Sequence, residues 1–420
     1  MRAWVYRLSL VLVFTIPWEG LIDVAGIGTI AKLIGLVVAG LWLFVVVMTG
    51  GLRKPPPFLA ALGLLVGWIA LSVFWSADPV RSFRFVGTWV QCMGLALILW
   101  DLYRTRERVL AGLQAYILGA YVAVGGAIIN FFAGNAFYTH YDRFSPGETN
   151  PDGFGFIIAL GVPVAWYLAS TPTTRTTSRF LRFTKIVNHG YIPLAFFGIA
   201  LSGTRTAMVA ALAGMAFGLV ALRRIRPTVR LPMLLAVAVA IYLLIPIVQP
   251  LRSFQRLGTT ATEATQGDLN GRIPQWTEGV RAFTVHPLIG YGANMYSTVN
   301  DIPRQSERAG KTNGLGKAAH NTFVAILVEL GLVGFVLFWI ILGIVTGRAL
   351  KLPRWERAFW LTVLLVWTIG SSTLTWGHRK TTWLFFTLLL AASMVWRRDE
   401  PPVVEDEVVP AAPSRVGAPA

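Results

Sequence analysis

The sequence predicts an all-α polytopic integral membrane protein with about 12 transmembrane helices and one large loop, itself holding short helices, outside the membrane. Three observations carry that prediction. Apolar stretches recur along nearly the whole chain, basic residues crowd every second junction between them, and a single long segment, Gln249 to Ala318, interrupts the pattern. Composition agrees: 55% of residues are hydrophobic and 14% charged, with a mean hydropathy of +0.60. These values exclude a soluble globular protein.

A span needs about 20 predominantly apolar residues. Tyr6–Trp18 has the basic flank of a signal peptide in Arg2 and Arg7. No small-x-small cleavage pattern precedes Glu19 and further spans follow, so it reads as a retained first helix. Ile27–Met48, Phe58–Trp75, Phe85–Trp100, Val109–Phe132, Gly153–Leu168, Ile186–Leu201, Ala207–Leu222 and Leu231–Val248 follow. Residues 1–248 are thus expected to hold transmembrane helices 1–9, and residues 249–318 the large loop. Ala319–Val345, Phe359–Thr375 and Thr382–Trp396 make residues 319–398 the block of helices 10–12. The tail 399–420, rich in Pro, Ala, Val and acids, is expected to be disordered and cytoplasmic.

Basic clusters fix orientation. Arg53–Lys54, Arg104/Arg106/Arg108, Arg175/Arg179/Arg182/Lys185, Arg223/Arg224/Arg226/Arg230, Arg348/Lys351/Arg354/Arg357 and Arg397/Arg398 mark the cytoplasmic side. An even number of spans returns the C-terminus to the side of Arg2 and Arg7, so both termini are expected in the cytoplasm and the long loop outside. The net charge of +17 is then a topology signal with anionic-lipid contacts, and no nucleic-acid partner is implied. Cys92 is the single cysteine and falls within a span, which allows neither an intramolecular disulfide nor a thiolate metal site.

Nucleotide and metal chemistry find little support. Gly310 to Lys317 superficially resembles a P-loop, but the spacing is one residue too long, Ala318 replaces the Ser/Thr, and no strand precedes it. No Asp-x-Asp pair, His-x-x-x-His or Cys-x-x-Cys offers a ligand set. Three outward positions are stronger. Arg205 lies in Ser202-Gly203-Thr204-Arg205-Thr206, a very short turn in which Ser202 or Thr204 can cap the next helix. A cation in a first helical turn opposes the macrodipole, and a bound anion would relieve that cost; the alternative is an arginine reaching lipid phosphates. Arg272 precedes an amphipathic helix expected over Pro274–Val285, with Ile273, Trp276, Val280 and Phe283 resting on the bundle; the alternative is a solvated charge. His320, in Lys317-Ala318-Ala319-His320-Asn321-Thr322, ends the long loop. Neighbouring cations keep such a ring neutral and able to accept a proton; the alternative is a histidine of the interfacial belt. Asn321, Lys317, Arg143, His378 and Arg379 also face outward as candidates to line a site. Glu329, nine residues further on, is expected to face away from His320 and to bond a neighbouring span or its backbone.

These residues resemble the O-antigen ligase family of polytopic membrane proteins, which includes O-antigen polymerases and some protein O-oligosaccharyltransferases. Ala318-Ala319-His320-Asn321-Thr322-Phe323 with the downstream Glu329-Leu330-Gly331-Leu332-Val333-Gly334 is similar to the family's His-Asn helix start and Glu-x-Gly-x-x-Gly. Gly271-Arg272, Trp276 and His286-Pro287-Leu288-Ile289-Gly290-Tyr291-Gly292 resemble its loop signature. Trp75-Ser76-Ala77-Asp78-Pro79, Asn150-Pro151 and Ser202-Gly203-Thr204-Arg205 add to the similarity.

The resemblance implies a GT-C-like glycosyltransferase in the bacterial inner membrane with a periplasmic active site. The donor it implies is O-antigen on undecaprenyl pyrophosphate. Arg205 and Arg272 would hold the pyrophosphate and His320 would act as catalytic base in a single inverting displacement, without metal, ATP or other cofactor. Compact length and intact motifs favour a lipid A–core sugar hydroxyl as acceptor, hence a lipopolysaccharide O-antigen ligase. The nearest alternatives are a polymerase or a protein O-oligosaccharyltransferase using the same donor. A secondary transporter is a distant one, because the suspicious residues gather at one face.

Overall fold

A computed structural model describes residues 1–24, 28–171, 179–222, 235, 242, 251–253, 255, 272–299 and 318–396. The chain is mostly helical. Its helices are α1 (Arg2–Thr15), α2 (Ile30–Thr49), α3 (Pro57–Leu71), α4 (Pro79–Leu102), α5 (Arg106–Phe132), α6 (Pro151–Ser170), α7 (Arg179–Ser202) and α8 (Arg205–Leu222). A loop helix, Arg272–Phe283, and a single turn, Tyr296–Val299, precede Thr322–Leu350, Arg354–Ser371 and Lys380–Val395. Each predicted apolar stretch falls on one of these helices except Leu231–Val248, which lies outside the described residues apart from Leu235 and Tyr242. The tail 399–420 and Lys317 lie outside them as well.

Among the described residues, 7 helices are long and apolar enough to cross a membrane. Lys380–Val395 is apolar but shorter, and it is buried almost throughout its length inside the protein. A helix surrounded by other helices need not match the thickness of the hydrocarbon layer. α2 is the opposite case: only 17% of its span is buried, and Leu36, Val37, Leu43, Phe44, Val47 and Met48 are exposed. Such a face is stable only against lipid.

α6 forms the centre, packed between α7 and α8 and against Arg354–Ser371 and α5. Small residues allow that approach. A Cβ on Gly155 would lie 2.9 Å from Ser202 Oγ and 3.0 Å from Ala207 Cβ, so α6 can touch the α7–α8 turn only with glycine there. Helix starts follow from local chemistry. Asp78 accepts from the Arg81 N–H at 3.0 Å and Asn150 from the Asp152 N–H at 2.8 Å. Each is followed by proline at the first helical position, where the missing N–H has no partner to lose.

The helix Thr322–Leu350 is broken at Gly331, whose φ of 65° and ψ of −166° are not helical. The carbonyl of Leu330 freed by the break accepts from Trp68 Nε1 at 3.0 Å. The loop 287–292 fills the gap: Tyr291 N–H donates to Val328 O at 3.1 Å, Gly292 N–H to Glu329 O at 2.9 Å, and Leu332 N–H to Pro287 O at 2.8 Å. The sequence reading of an unbroken helix over Ala319–Val345 is corrected by this exchange of backbone partners. It obeys the rule that irregular backbone inside a bundle must find its hydrogen bonds within protein.

Candidate active site

The turn between α7 and α8 is built by its backbone. Gly203 takes φ 60° and donates its N–H to Ile199 O at 3.0 Å, closing α7 as glycine does at helix ends. Thr204 N–H donates to Ser202 Oγ at 3.2 Å. The Thr204 hydroxyl donates to Pro151 O at 3.0 Å and lies 3.2 Å from Asp152 Oδ1. It ties the turn to α6. Arg205 then stands, half-buried, at the first position of α8.

Arg143 is the strut of this turn. It is buried, and its Nε donates to Ser202 O at 2.7 Å. Its Nη2 donates to Asp152 Oδ1 at 2.6 Å and to Thr204 Oγ1 at 3.1 Å. The carboxylate is thereby paired and hydrogen-bonded, as a half-buried charge must be.

Arg272 opens the loop helix. That helix turns a different face inward from the one its apolar residues suggest. Gln275 and Gly279 are its buried residues; of the four expected inside, Trp276 and Phe283 are partly buried, whereas Ile273 and Val280 are exposed. The reason is close backbone approach: a Cβ on Gly279 would lie 2.8 Å from Tyr296 Oη and 3.0 Å from Val324. Tyr296 Oη donates to Gln275 O at 2.7 Å. Trp276 Nε1 donates to Ala319 O at 3.0 Å, which fixes the loop helix beside the segment carrying His320.

His320 has φ 45°, a left-handed conformation unusual for a non-glycine residue. It is displayed just before the helix cap. Asn321 Oδ1 caps Thr322–Leu350, accepting from the N–H groups of Phe323 at 2.9 Å and Val324 at 3.1 Å. Thr322 Oγ1 donates to Leu374 O at 2.8 Å and accepts from Trp376 N–H at 2.8 Å, anchoring the same start to the loop after Arg354–Ser371.

These elements share one electrostatic neighbourhood. Arg272 feels Asp152, Arg205 and Arg143, and Asp152 in turn feels Arg143, Arg272 and His320. Burial, helped by the repulsion of Arg205 and Arg143, holds the Arg272 guanidinium below its usual range, and Asp152 opposes that shift. The group stays cationic, as guanidinium does in proteins. Among the described residues the cluster sets one carboxylate, Asp152, beside Arg143, Arg205 and Arg272, a balance suited to a polyanion.

The remaining candidates stand apart. His378 packs its ring 5.1 Å from that of Phe85 and lines a small cavity with Trp89, Ile326 and Glu329. Burial first, then the neighbouring Arg379, pushes its imidazole down to about 3. Arg379 is exposed, 5.6 Å over the Trp376 ring.

The sequence motifs near Trp75 and Tyr291 have a task that pattern alone did not reveal. Trp75 Nε1 donates to Ile289 O at 3.3 Å, Ser82 Oγ to Ala293 O at 2.6 Å, and Arg81 Nη2 to Ser297 Oγ at 2.7 Å. From the other side the Glu329 carboxylate accepts from the N–H groups of Asn294 at 3.0 Å and Tyr296 at 3.3 Å. Together they dock the segment 287–298 that carries Tyr296, and so support the loop helix. The predicted backbone role of Glu329 is met, with a loop as partner. The signal for the arrangement was the paired Gly290-Tyr291-Gly292 and Glu329-Leu330-Gly331.

Residues 191–339 match the family model described as O-antigen ligase. This segment is similar to the O-antigen ligase family. The matched stretch contains Arg205, Arg272 and His320, and the broken helix with its inserted loop, whereas Arg143 and Asp152 lie before it. The chain is also similar to the exopolysaccharide production protein ExoQ of Rhizobium meliloti (strain 1021), with 25% identity over 285 residues, covering 65% of this chain and 61% of that protein. The chain thus spans less than two thirds of that relative's length.

Proposed function

We propose that this protein is a membrane glycosyltransferase that moves a glycan from undecaprenyl pyrophosphate to an acceptor hydroxyl at the outer face of the inner membrane. The observation that carries the reading is the shared electrostatic neighbourhood of Arg205, Arg272, Asp152 and His320, residues remote in sequence. The acceptor oxygen attacks the anomeric carbon, and the bond from that carbon to the pyrophosphate oxygen breaks. Arg205 and Arg272 balance the charge that grows on the departing pyrophosphate. His320 takes the proton of the acceptor hydroxyl. One displacement of this kind inverts the anomeric configuration.

The sugar pyrophosphate stores the driving force, so no nucleotide is needed. The guanidinium groups supply the positive charge that a divalent metal provides in other phosphate chemistry. Among the described residues no three His, Cys, Asp or Glu side chains gather as a metal site. The Arg143–Asp152 strut sets the position of Arg205, and the loop helix sets that of Arg272.

The acceptor we propose is a lipid A–core sugar, making the protein a lipopolysaccharide O-antigen ligase. The similarity to an exopolysaccharide production protein favours a second reading, in which the acceptor is another lipid-linked glycan and the product a longer polymer. Purified protein with lipid-linked glycan, supplied with or without lipid A–core, separates them. Product that requires lipid A–core supports the ligase; chain lengthening from donor alone supports the polymerase. Loss of neither substrate under either condition contradicts both.

A further inference from the structure

At the end of the bundle away from His320, a cavity of about 340 Å³ opens between the α2–α3 connection, the end of α4 and the final helices. Along the part of Thr322–Leu350 that follows its break at Gly331, Arg348 lies about 25 Å beyond the break. One wall is the stiff run Pro55-Pro56-Pro57, and the floor is Trp100, Leu390 and Met394. The rim carries Arg53, Lys54 and Arg348.

The rim is held in place by its own contacts. The Arg53 guanidinium sits over the Trp100 indole, 3.9 Å from the ring centroid, and donates to Trp100 O at 3.0 Å. Trp100 Nε1 donates to Lys54 O at 3.0 Å. The neighbouring acid, Asp101, is engaged elsewhere: it pairs with Arg104 and Arg2 and accepts from the Arg53 N–H. Arg348 contacts Met394 Sδ at 3.9 Å. Among the described residues no carboxylate pairs with Lys54 or Arg348.

We propose that this cavity binds an anionic phospholipid, its phosphate at the Arg53, Lys54 and Arg348 rim and the start of an acyl chain on Trp100, Leu390 and Met394. A zwitterionic lipid would bring its own cation to a rim where Lys54 and Arg348 have no carboxylate partner among the described residues, and a neutral lipid would bring no anion. A free phosphate would leave the apolar floor uncovered. The chemistry of rim and floor together selects an amphiphile with net negative charge. This inference is independent of the glycosyl-transfer reading, which concerns the other end of the molecule.

Native mass spectrometry of the full chain in neutral detergent tests it, with phosphatidylglycerol, phosphatidylcholine and inorganic phosphate as probes. The expected result is preferential retention of phosphatidylglycerol over phosphatidylcholine, undiminished by millimolar phosphate. The variant Lys54→Gln/Arg348→Gln should bind one equivalent of phosphatidylglycerol about tenfold or more weakly. Equal retention of the two lipids, equal binding by the variant, or displacement by inorganic phosphate would each overturn the proposal; the last would make this a bare anion site.

Discussion

Trp276 Nε1 donates a 3.0 Å hydrogen bond to the carbonyl of Ala319, the residue before His320. The indole therefore couples the helix that begins with Arg272 to the segment that displays the proposed base. Trp276→Phe keeps the ring and deletes the donor. One hydrogen bond of this kind contributes about 1 kcal/mol, so kcat/KM for glycan transfer should fall by roughly tenfold or less with little change in thermal stability. A kinetic comparison of the purified variant checks this, and unchanged kinetics would argue that the coupling is unimportant.

The Arg143–Asp152 pair is predicted to be a stability element. Arg143→Ala leaves the half-buried carboxylate without its principal partner and should cost about 3–5 kcal/mol, as broken buried pairs do. The paired change Arg143→Met/Asp152→Asn should recover much of that loss. Thermal unfolding in detergent measures both, and equal melting of Arg143→Ala and the native chain would refute the strut.

Gly331 is predicted to be irreplaceable. At φ 65° an L-residue is strained, and an added Cβ would collide with the Leu288 carbonyl. Gly331→Ala should expel the loop 287–292 from the helix break. Limited proteolysis of that loop reports it: faster cleavage in the variant is expected, and identical protection would contradict the docking.

His378 supplies a pH test. Burial sets its imidazole at about 3 in the folded chain, against about 6.5 unfolded. The unfolded state thus binds the extra proton first, and stability falls as pH drops below about 6.5 until the folded group itself titrates. His378→Gln should flatten that acid-side loss in pH-dependent melting. It should leave the acid limb of the pH–rate profile in place, because His378 stays neutral across the working range. A shifted limb in this variant would move the base assignment away from His320.

Removal of divalent metal is expected to leave transfer unchanged, since the proposed contacts to the leaving group are arginines. Initial rates with and without EDTA decide it; lost activity restored by a metal would overturn the arginine-only account.

The helices were legible in the sequence because apolar runs and basic junctions obey the bilayer's constraints. Arg205, Arg272 and His320 were singled out from chemistry at short turns and loop ends, and the structure adds the electrostatic neighbourhood that they share with Asp152. The face of the loop helix was misread, because Gly279 permits close backbone contact that apolar periodicity cannot register. The break at Gly331 and the bonds from Arg143 to Ser202 and Thr204 depend on contacts between distant segments, which a single sequence does not encode locally. Asn321 was a candidate to line the site, and its carbonyl oxygen caps a helix.

Arg205 and Arg272 are proposed to act on one leaving group. The most direct measurement is kcat/KM for glycan transfer by purified Arg205→Ala, Arg272→Ala and the double variant. Each single change should lose about 10²-fold or more, and the double variant should lose much less than the product of the two, as groups acting together do. Near-native turnover in either single variant, or losses that multiply independently, would contradict a shared site.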